Sequence, residues 1–286
     1  MRKQIRLNTL EIVQAIIIVV IILVILFPIY WLLITSLKTA ISATSNVPTF
    51  IPFIDFQPSF ESYEYLTSIR AAEVVKCLKN SILSSLFSAS ISIGLGIFAG
   101  YGLARFQYKK WKNEDIGFWF LSLRILPPAA VLVPYYLIFN FLRMLDNLLT
   151  ISLLYAFLNL PITVWMIWSA FQAIPKEIEE AASIDGCTSS QILLKISLPL
   201  AKTSIAMAFL LAFVFSWNEF FLTMSLTYEQ AKTLPVFIAA ATTSPRGVNW
   251  SVMSAISLFA IIPPLIVAIA AQRYILKALT FGAIRA

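Results

Sequence analysis

Long apolar runs separated by short polar connections set the pattern of this chain. An uncharged run extends from Ile12 to Leu37, and further apolar stretches cover Asn80–Ala104, Ile116–Leu142, Leu148–Phe171, Ala201–Leu226 and Trp250–Ala271. An α-helix needs roughly 20 such residues to cross the hydrocarbon core, so each stretch predicts one membrane-spanning helix and the chain predicts six. The first run is too long for a signal-peptide core and lacks a small-residue cleavage site, so it is expected to be retained as a span.

The connections and spans carry their own local signals. Lys38–Lys79 interleaves Pro48, Pro52 and Pro58 with Phe50, Phe53, Phe56 and Phe60, which predicts an ordered non-helical crossing with a short helix near Glu61–Ile69. This segment reads equally as a plain linker or as a contact for an external protein. In the second span Ser84, Ser88, Ser92, Gly96 and Gly100 recur every fourth residue and form one small-residue stripe, which favours close helix packing. The third span contains Arg124 and Pro127, Pro128 and Pro134, predicting a kink or break with the arginine turned from lipid. Pro263 and Pro264 predict another break in the last span. Trp165 and Trp168 suit the membrane interface at the end of the fourth span.

Within the fifth span, Asn218 and Glu219 supply donor and acceptor groups that sugar hydroxyls or a proton would need. Arg124, Asn218 and Glu219 are therefore candidate pathway residues. At 1.5 Å per residue Arg124 lies roughly 13 Å, and Glu219 roughly 25 Å, from the same end of their spans, which argues against their pairing.

Between the apolar runs Ser152–Phe171 and Ser204–Phe215 lies a polar island centred on Glu180-Ala181-Ala182-Ser183-Ile184-Asp185-Gly186. Pro175 suits a first helical turn, and Glu177, Glu179 and Glu180 complement the positive end of a helix dipole. Gly186 is expected to close that helix in the left-handed conformation, and Thr188 with Gln191 has the spacing of a capping box that starts another. The small Ala181, Ala182 and Gly186 leave room for a partner surface.

This segment resembles the EAA loop of ABC-importer permeases: Glu180-Ala181-Ala182, Gly186 and Ile196-x-Leu198-Pro199 fill every position of that pattern. Arg124-Ile125-Leu126-Pro127-Pro128 is similar to a stretch common in carbohydrate-importer permeases. The likeness extends from about Asn80 to Gln272-Arg273-Tyr274 and Leu279-Thr280-Phe281-Gly282-Ala283, and is that of a maltose-permease-like second permease. One departure is Cys187, where that family usually has a small residue such as alanine.

The resemblance implies an all-α membrane protein with the type I importer permease fold. It implies a heterodimer with a second, homologous permease, two cytoplasmic ATPase subunits and an extracytoplasmic solute-binding protein, all acting at the cell membrane on a sugar, oligosaccharide or polyol. ATP and Mg would be bound by the partner ATPase and no cofactor by this chain, which carries no P-loop lysine motif and is not expected to be an enzyme. Glu180, Ala181, Ala182, Asp185, Gly186, Leu198 and Pro199 are implied as the ATPase-coupling residues, with Glu180 as the anchor.

Composition narrows the alternatives. Of 286 residues 59% are hydrophobic, only 12% are charged and none is histidine, and the mean hydropathy is +0.85. A soluble domain cannot hide so much apolar surface. The net charge of +7 reflects membrane orientation rather than nucleic-acid binding. Arg2, Lys3, Arg6, Arg105, Lys109, Lys110, Lys112, Lys176, Lys195, Lys202, Arg273, Lys277 and Arg285 fall on one side of a six-span topology. Lys38, Arg70, Lys76, Lys79, Arg143, Lys232 and Arg246 fall on the other. Both termini are thereby expected in the cytoplasm, with residues 1–11 as a cytoplasmic segment, 12–286 as a single permease domain and a coupling loop at about 175–199. Cys77 and Cys187 fall on opposite sides, so neither a disulfide nor a metal site is expected. An ion-driven secondary transporter is the alternative, supported by the Pro-Pro interruptions in two spans and opposed by the lack of histidine and the single deep acid. An intramembrane enzyme lacks a constellation of catalytic groups.

Overall fold

The computed structural model describes residues 9–45, 47–241, 243–244 and 247–283. Arg2, Lys3, Arg6, Arg246 and Arg285 of the charge pattern lie outside the described residues, as does most of the 1–11 segment. In chain order the helices are α1 (Thr9–Ser36), α2 (Ala40–Ala43), α3 (Glu61–Glu64), α4 (Ala71–Arg105), α5 (Asn113–Ser122), α6 (Pro128–Phe141), α7 (Leu148–Gln172), α8 (Lys176–Ile184), α9 (Ser189–Ile192), α10 (Leu198–Trp217), α11 (Phe221–Leu226), α12 (Leu234–Ala241) and α13 (Trp250–Ala283). A two-stranded hairpin, β1 (Thr243–Ser244) with β2 (Gly247–Val248), precedes α13.

Five helical stretches are long and apolar enough to cross a membrane: Glu11–Ser36, Ala71–Arg105, Leu148–Gln172, Ser189–Trp217 and Trp250–Tyr274. The pair Asn113–Ile125 and Pro128–Phe141, which bends by 86° at its break, makes a sixth crossing if the two helices count as one broken span. The break falls at the expected Pro127-Pro128, where two N–H donors are missing and the residue before each proline is pushed to extended backbone.

Three expectations about the spans need correction. The second helix starts at Ala71 rather than Asn80, because its apolar run measures the hydrocarbon thickness while the polar turn before it is still helical. The fifth span does not run unbroken to Leu226: α10 ends at Trp217 and α11 begins at Phe221. The last helix is not broken by Pro263 and Pro264 and continues through both. A helix is the one open backbone form that satisfies itself in hydrocarbon, so the flanking turns hold across the defect.

Contacts divide the described chain into two compact units, one made of the stretch up to Val74 with Ile238–Ile261, the other of Val75–Phe237 with Ile262 onward. In the first unit the proline- and phenylalanine-rich connection is ordered as expected. Ser59 N donates to Leu37 O at 2.7 Å, and Ser36 Oγ and Tyr63 Oη share a hydrogen bond of 2.7 Å. The Asp55 carboxylate accepts from Phe50 N and Ile51 N at 2.8 and 2.9 Å, which turns the tip and leaves Phe53 and Ile54 exposed. The expected short helix is α3 followed by a π-helical turn, Tyr65–Ile69.

The second unit is built on α4, α7 and α10. The small stripe of α4 lies against α7: a Cβ at Gly100 would stand 2.8 Å from Trp168 N, and one at Gly96 would stand 3.2 Å from Ile167 Cδ1. Buried hydroxyls of α4 pair with both neighbours, Ser92 with Thr163 of α7 at 2.8 Å and Ser88 with Ser216 of α10 at 2.9 Å, while Asn159 Nδ2 of α7 donates to Ser216 Oγ at 2.8 Å. Trp168 is not at an interface as its position suggested but is only 4% exposed, with its ring against Gly117 of α5. The α6–α7 turn is tied to the segment after α11 by Asp146. Its carboxylate accepts from the backbone N–H groups of Tyr228, Glu229, Gln230 and Ala231 at 2.8–3.1 Å.

Candidate coupling site

The polar island folds as a helix, a glycine turn and a second helix, inserted between α7 and α10. Pro175 is the N-cap of α8, one position before the helix proper, and Glu177 and Glu179 occupy its first turn. At the other end Gly186 has φ +85°. Cys187 N donates to Ala182 O at 3.0 Å and Gly186 N to Ser183 O at 3.1 Å, the paired bonds of a Schellman ending. Thr188 and Gln191 form the expected capping box, with Thr188 N donating to Gln191 Oε1 at 2.9 Å. A π-helical turn, Leu193–Ser197, then leads into α10, with Leu198 and Pro199 in the first turn of that helix.

The faces of α8 separate the neighbouring glutamates. Glu180, Ala181, Ile184, Asp185 and Gly186 are exposed, Ile184 to 87%, whereas Glu179 and Ala182 are buried. Glu179 is 8% exposed and accepts four hydrogen bonds from three residues. Arg105 Nε donates to Glu179 Oε2 at 2.8 Å and Arg105 Nη2 to Oε1 at 2.9 Å, a two-bonded fork from the last residue of α4. Ser197 Oγ donates to Oε1 at 2.7 Å and Tyr101 Oη to Oε2 at 3.2 Å. Arg105 Nη2 also donates to Ile174 O at 3.1 Å, just before α8. Burial opposes ionisation of Glu179, but the hydrogen bonds from Arg105 and Ser197, with the guanidinium charge, hold its carboxyl below the usual glutamate range. Apolar packing joins the same elements, since Tyr101, Phe171, Ile174, Leu193 and Ala201 share one core cluster.

Sequence reading missed this knot, because it counted Arg105 only among the basic residues that orient the chain in the membrane and gave Glu179 only to the helix dipole. A signal was present. Glu179 lies three residues before the buried Ala182, on the inward face, while Glu180 shares a face with Ile184 at i, i+4.

The three pathway candidates are not brought together by direct bonds. The Arg124 guanidinium lies over the Phe215 ring, 4.4 Å from its centroid, and does not pair with Glu219. Asn218 is exposed and donates from Nδ2 to Val214 O of its own helix at 2.8 Å. Glu219 caps α11: its carboxylate accepts from Leu222 N at 2.9 Å, Thr223 N at 3.2 Å and Thr223 Oγ1 at 2.7 Å. Among the described residues no group of histidine, cysteine, aspartate and glutamate could hold a metal ion.

Several apolar crossings with a structured polar elbow between two of them define a multi-pass membrane transport subunit. The chain belongs to the family of binding-protein-dependent transport system inner membrane components, whose profile matches residues 92–281. It is 33% identical to the sulfoquinovosyl glycerol transport system permease protein SmoH of Agrobacterium fabrum, over 91% of this chain and 89% of that protein. It is 30% identical to the trehalose/maltose transport system permease protein MalG of Thermococcus litoralis, over 100% of this chain and 99% of that one. Among solved structures, a chain of a bacterial ABC transporter involved in import of the acidic polysaccharide alginate shares its fold, with a TM-score of 0.73, 24% identity, and coverage of 93% and 96% of the two chains.

Proposed function

We propose that this chain is one of two homologous permeases of an ATP-driven carbohydrate importer, and that the α8–α9 elbow docks on a separate ATPase subunit. The observation that carries this reading is the division of labour on α8. Glu179 is bound inward to Arg105, while Glu180, Ala181, Ile184 and Asp185 face out, with no partner among the described residues to explain an 87% exposed isoleucine. The relatives named for sulfoquinovosyl glycerol and trehalose/maltose support a sugar, oligosaccharide or polyol as cargo.

In this reading both termini and the elbow face the cytoplasm, and two ATPase subunits bind ATP and Mg. Glu180 anchors the docked elbow, Gly186 shapes its turn, and Leu198 with Pro199 start the helix that follows. When the ATPase subunits close, the elbow moves. Because Arg105 ties it to α4 as well as to the adjoining α7 and α10, three spans shift as one body and the cavity between the permeases changes side. Arg124 and Asn218, exposed in the single chain, face that pathway, and Glu219 holds the α10–α11 break that shapes it. The external binding protein meets the opposite side, where Phe53 and Ile54 offer an apolar tip.

The test is purification from membranes with a tag on this chain, identification of co-purifying proteins and an ATPase assay with and without Glu180→Ala. A second permease and an ATPase are expected, with the substitution weakening ATPase association. Recovery of the chain alone, active in proton-driven uptake, would replace this reading with the ion-driven alternative.

A further inference from the structure

A pocket of about 380 Å³ lies within the first unit, between the last turns of α1, the Lys38–Ala43 segment and the first turn of α13. Two indoles, Trp31 and Trp250, stand at it, and its polar lining comes from Thr35, Lys38 and Ser254. This volume and mixture suit a small organic ligand.

Two polar groups in it are incompletely satisfied. Lys38 is 4% exposed. Its Nζ donates to Thr49 O at 2.8 Å and sits 5.2 Å from the Trp31 ring and 5.0 Å from that of Phe56. Asp55 is a nearby negative charge, but among the described residues no carboxylate lies within ion-pair distance of the ammonium. An ammonium has three N–H donors, and a buried one without an anion in direct contact is costly. Thr35, 6% exposed, has a buried Oγ1 with no hydrogen-bond partner among the described residues. Both groups call for an acceptor from outside the chain, and the ammonium calls for a negative one.

The place of the pocket selects the occupant. The apolar span of α1 is exposed from Glu11 to Tyr30 and becomes buried only in its last turn, so in a membrane lipid is its solvent up to this turn. Thr35 and Lys38 are polar groups met where that span ends, and tryptophans favour that depth. A phospholipid presents a phosphate there with apolar chains directed along the helix. We propose that this pocket binds one phospholipid, with the Lys38 ammonium and the Thr35 and Ser254 hydroxyls on the headgroup phosphate and Trp31 and Trp250 against the glycerol and first methylenes. Lysine recognises phosphate as a point charge and a hydroxyl donates to a phosphate oxygen, so the polar set fits the anion.

The experiment uses the intact transporter, purified in detergent and examined by native mass spectrometry for retained phospholipid, as wild type, Lys38→Gln, Lys38→Arg and Thr35→Val. Lys38→Gln is expected to retain one phospholipid fewer per copy of this chain, its affinity falling about tenfold as loss of a charge-assisted hydrogen bond dictates, while Lys38→Arg keeps it. In a second arm, delipidated transporter is titrated with dioleoyl phosphatidylglycerol or with inorganic phosphate. The lipid should raise the unfolding temperature of the wild type and not of Lys38→Gln, and phosphate should raise neither. Equal lipid retention in wild type and Lys38→Gln overturns the proposal, as does stabilisation by inorganic phosphate equal to that by lipid. If Lys38→Gln does not assemble, Thr35→Val, which keeps the ammonium and the side-chain shape, reads the same loss; undiminished retention in that variant overturns it too.

Discussion

Arg105 ends one membrane helix and Glu179 begins the coupling helix, and their side chains meet in a forked pair at 2.8 and 2.9 Å although 74 residues separate them. The pair is nearly buried, with side-chain exposures of 10% and 9%. Removing one partner of such a pair leaves an uncompensated charge and costs about 3–5 kcal/mol. Glu179→Ala should therefore lower the thermal unfolding temperature of the assembled transporter and reduce transport per ATP hydrolysed. Arg105→Lys, which keeps the charge but not the fork, should fall between. Unchanged coupling in Glu179→Ala would remove the knot from the mechanism.

The same knot has a pH signature. Its folded-state carboxyl pKa is held below the ordinary glutamate value of about 4.3. The stabilisation is thus fully present above that value and is lost as pH falls through the lower folded-state pKa. Unfolding temperature measured from neutral pH into the acid range should fall more steeply for the wild type than for Glu179→Gln. Parallel curves would show that the pair contributes no proton linkage.

At Gly186 the backbone has φ +85°, and a Cβ there would meet nothing within 4 Å. The penalty of a side chain is therefore conformational, about 1–2 kcal/mol for a residue other than glycine or asparagine. Gly186→Val should insert in the membrane normally and lose most uptake in vesicles, while Gly186→Asn should retain much of it. Wild-type uptake by Gly186→Val would count against the elbow as the coupling element.

Gly117 faces an indole: a Cβ there would clash with Trp168 Cζ3. Gly117→Ala should cost about 1–3 kcal/mol by overpacking. Trp168→Phe shortens the ring, and the indole Nε1 it removes has no partner. The double variant should recover stability lost by Gly117→Ala, a coupling readable from the four unfolding temperatures. Additive effects would mean that the two residues do not touch.

Asp146 has φ +52° and accepts four backbone N–H groups. Burial works against its charge, and those four bonds hold its carboxyl below the usual range. Asp146→Ala leaves the donors unpaired and should cost about 1.5–3 kcal/mol. Protease cleavage between Thr227 and Thr233 should rise, less so in Asp146→Asn, which keeps one acceptor and tolerates the left-handed backbone. Equal cleavage rates would show that the loop is held elsewhere.

The sequence by itself determined what depends on neighbours along the chain. The crossings are visible because hydrocarbon demands about 20 apolar residues in succession, and the turn at Gly186 and the cap at Thr188 because each closes within a few residues. The stripe from Ser84 to Gly100 declared a close helix contact by period alone. Tertiary structure decided the rest. Which helix fills that stripe, why Glu179 rather than Glu180 turns inward, and why Arg105 belongs to the elbow all depend on residues many positions apart. Glu219 shows the limit most clearly. A lone acid in an apolar run reads as a pathway group, yet the break at Asn218–Phe220 presents free N–H donors of a new helix beside it, and the carboxylate binds them. Whether a polar side chain in a span is available to cargo or occupied by backbone is set by where the helix stops, and packing rather than composition sets that.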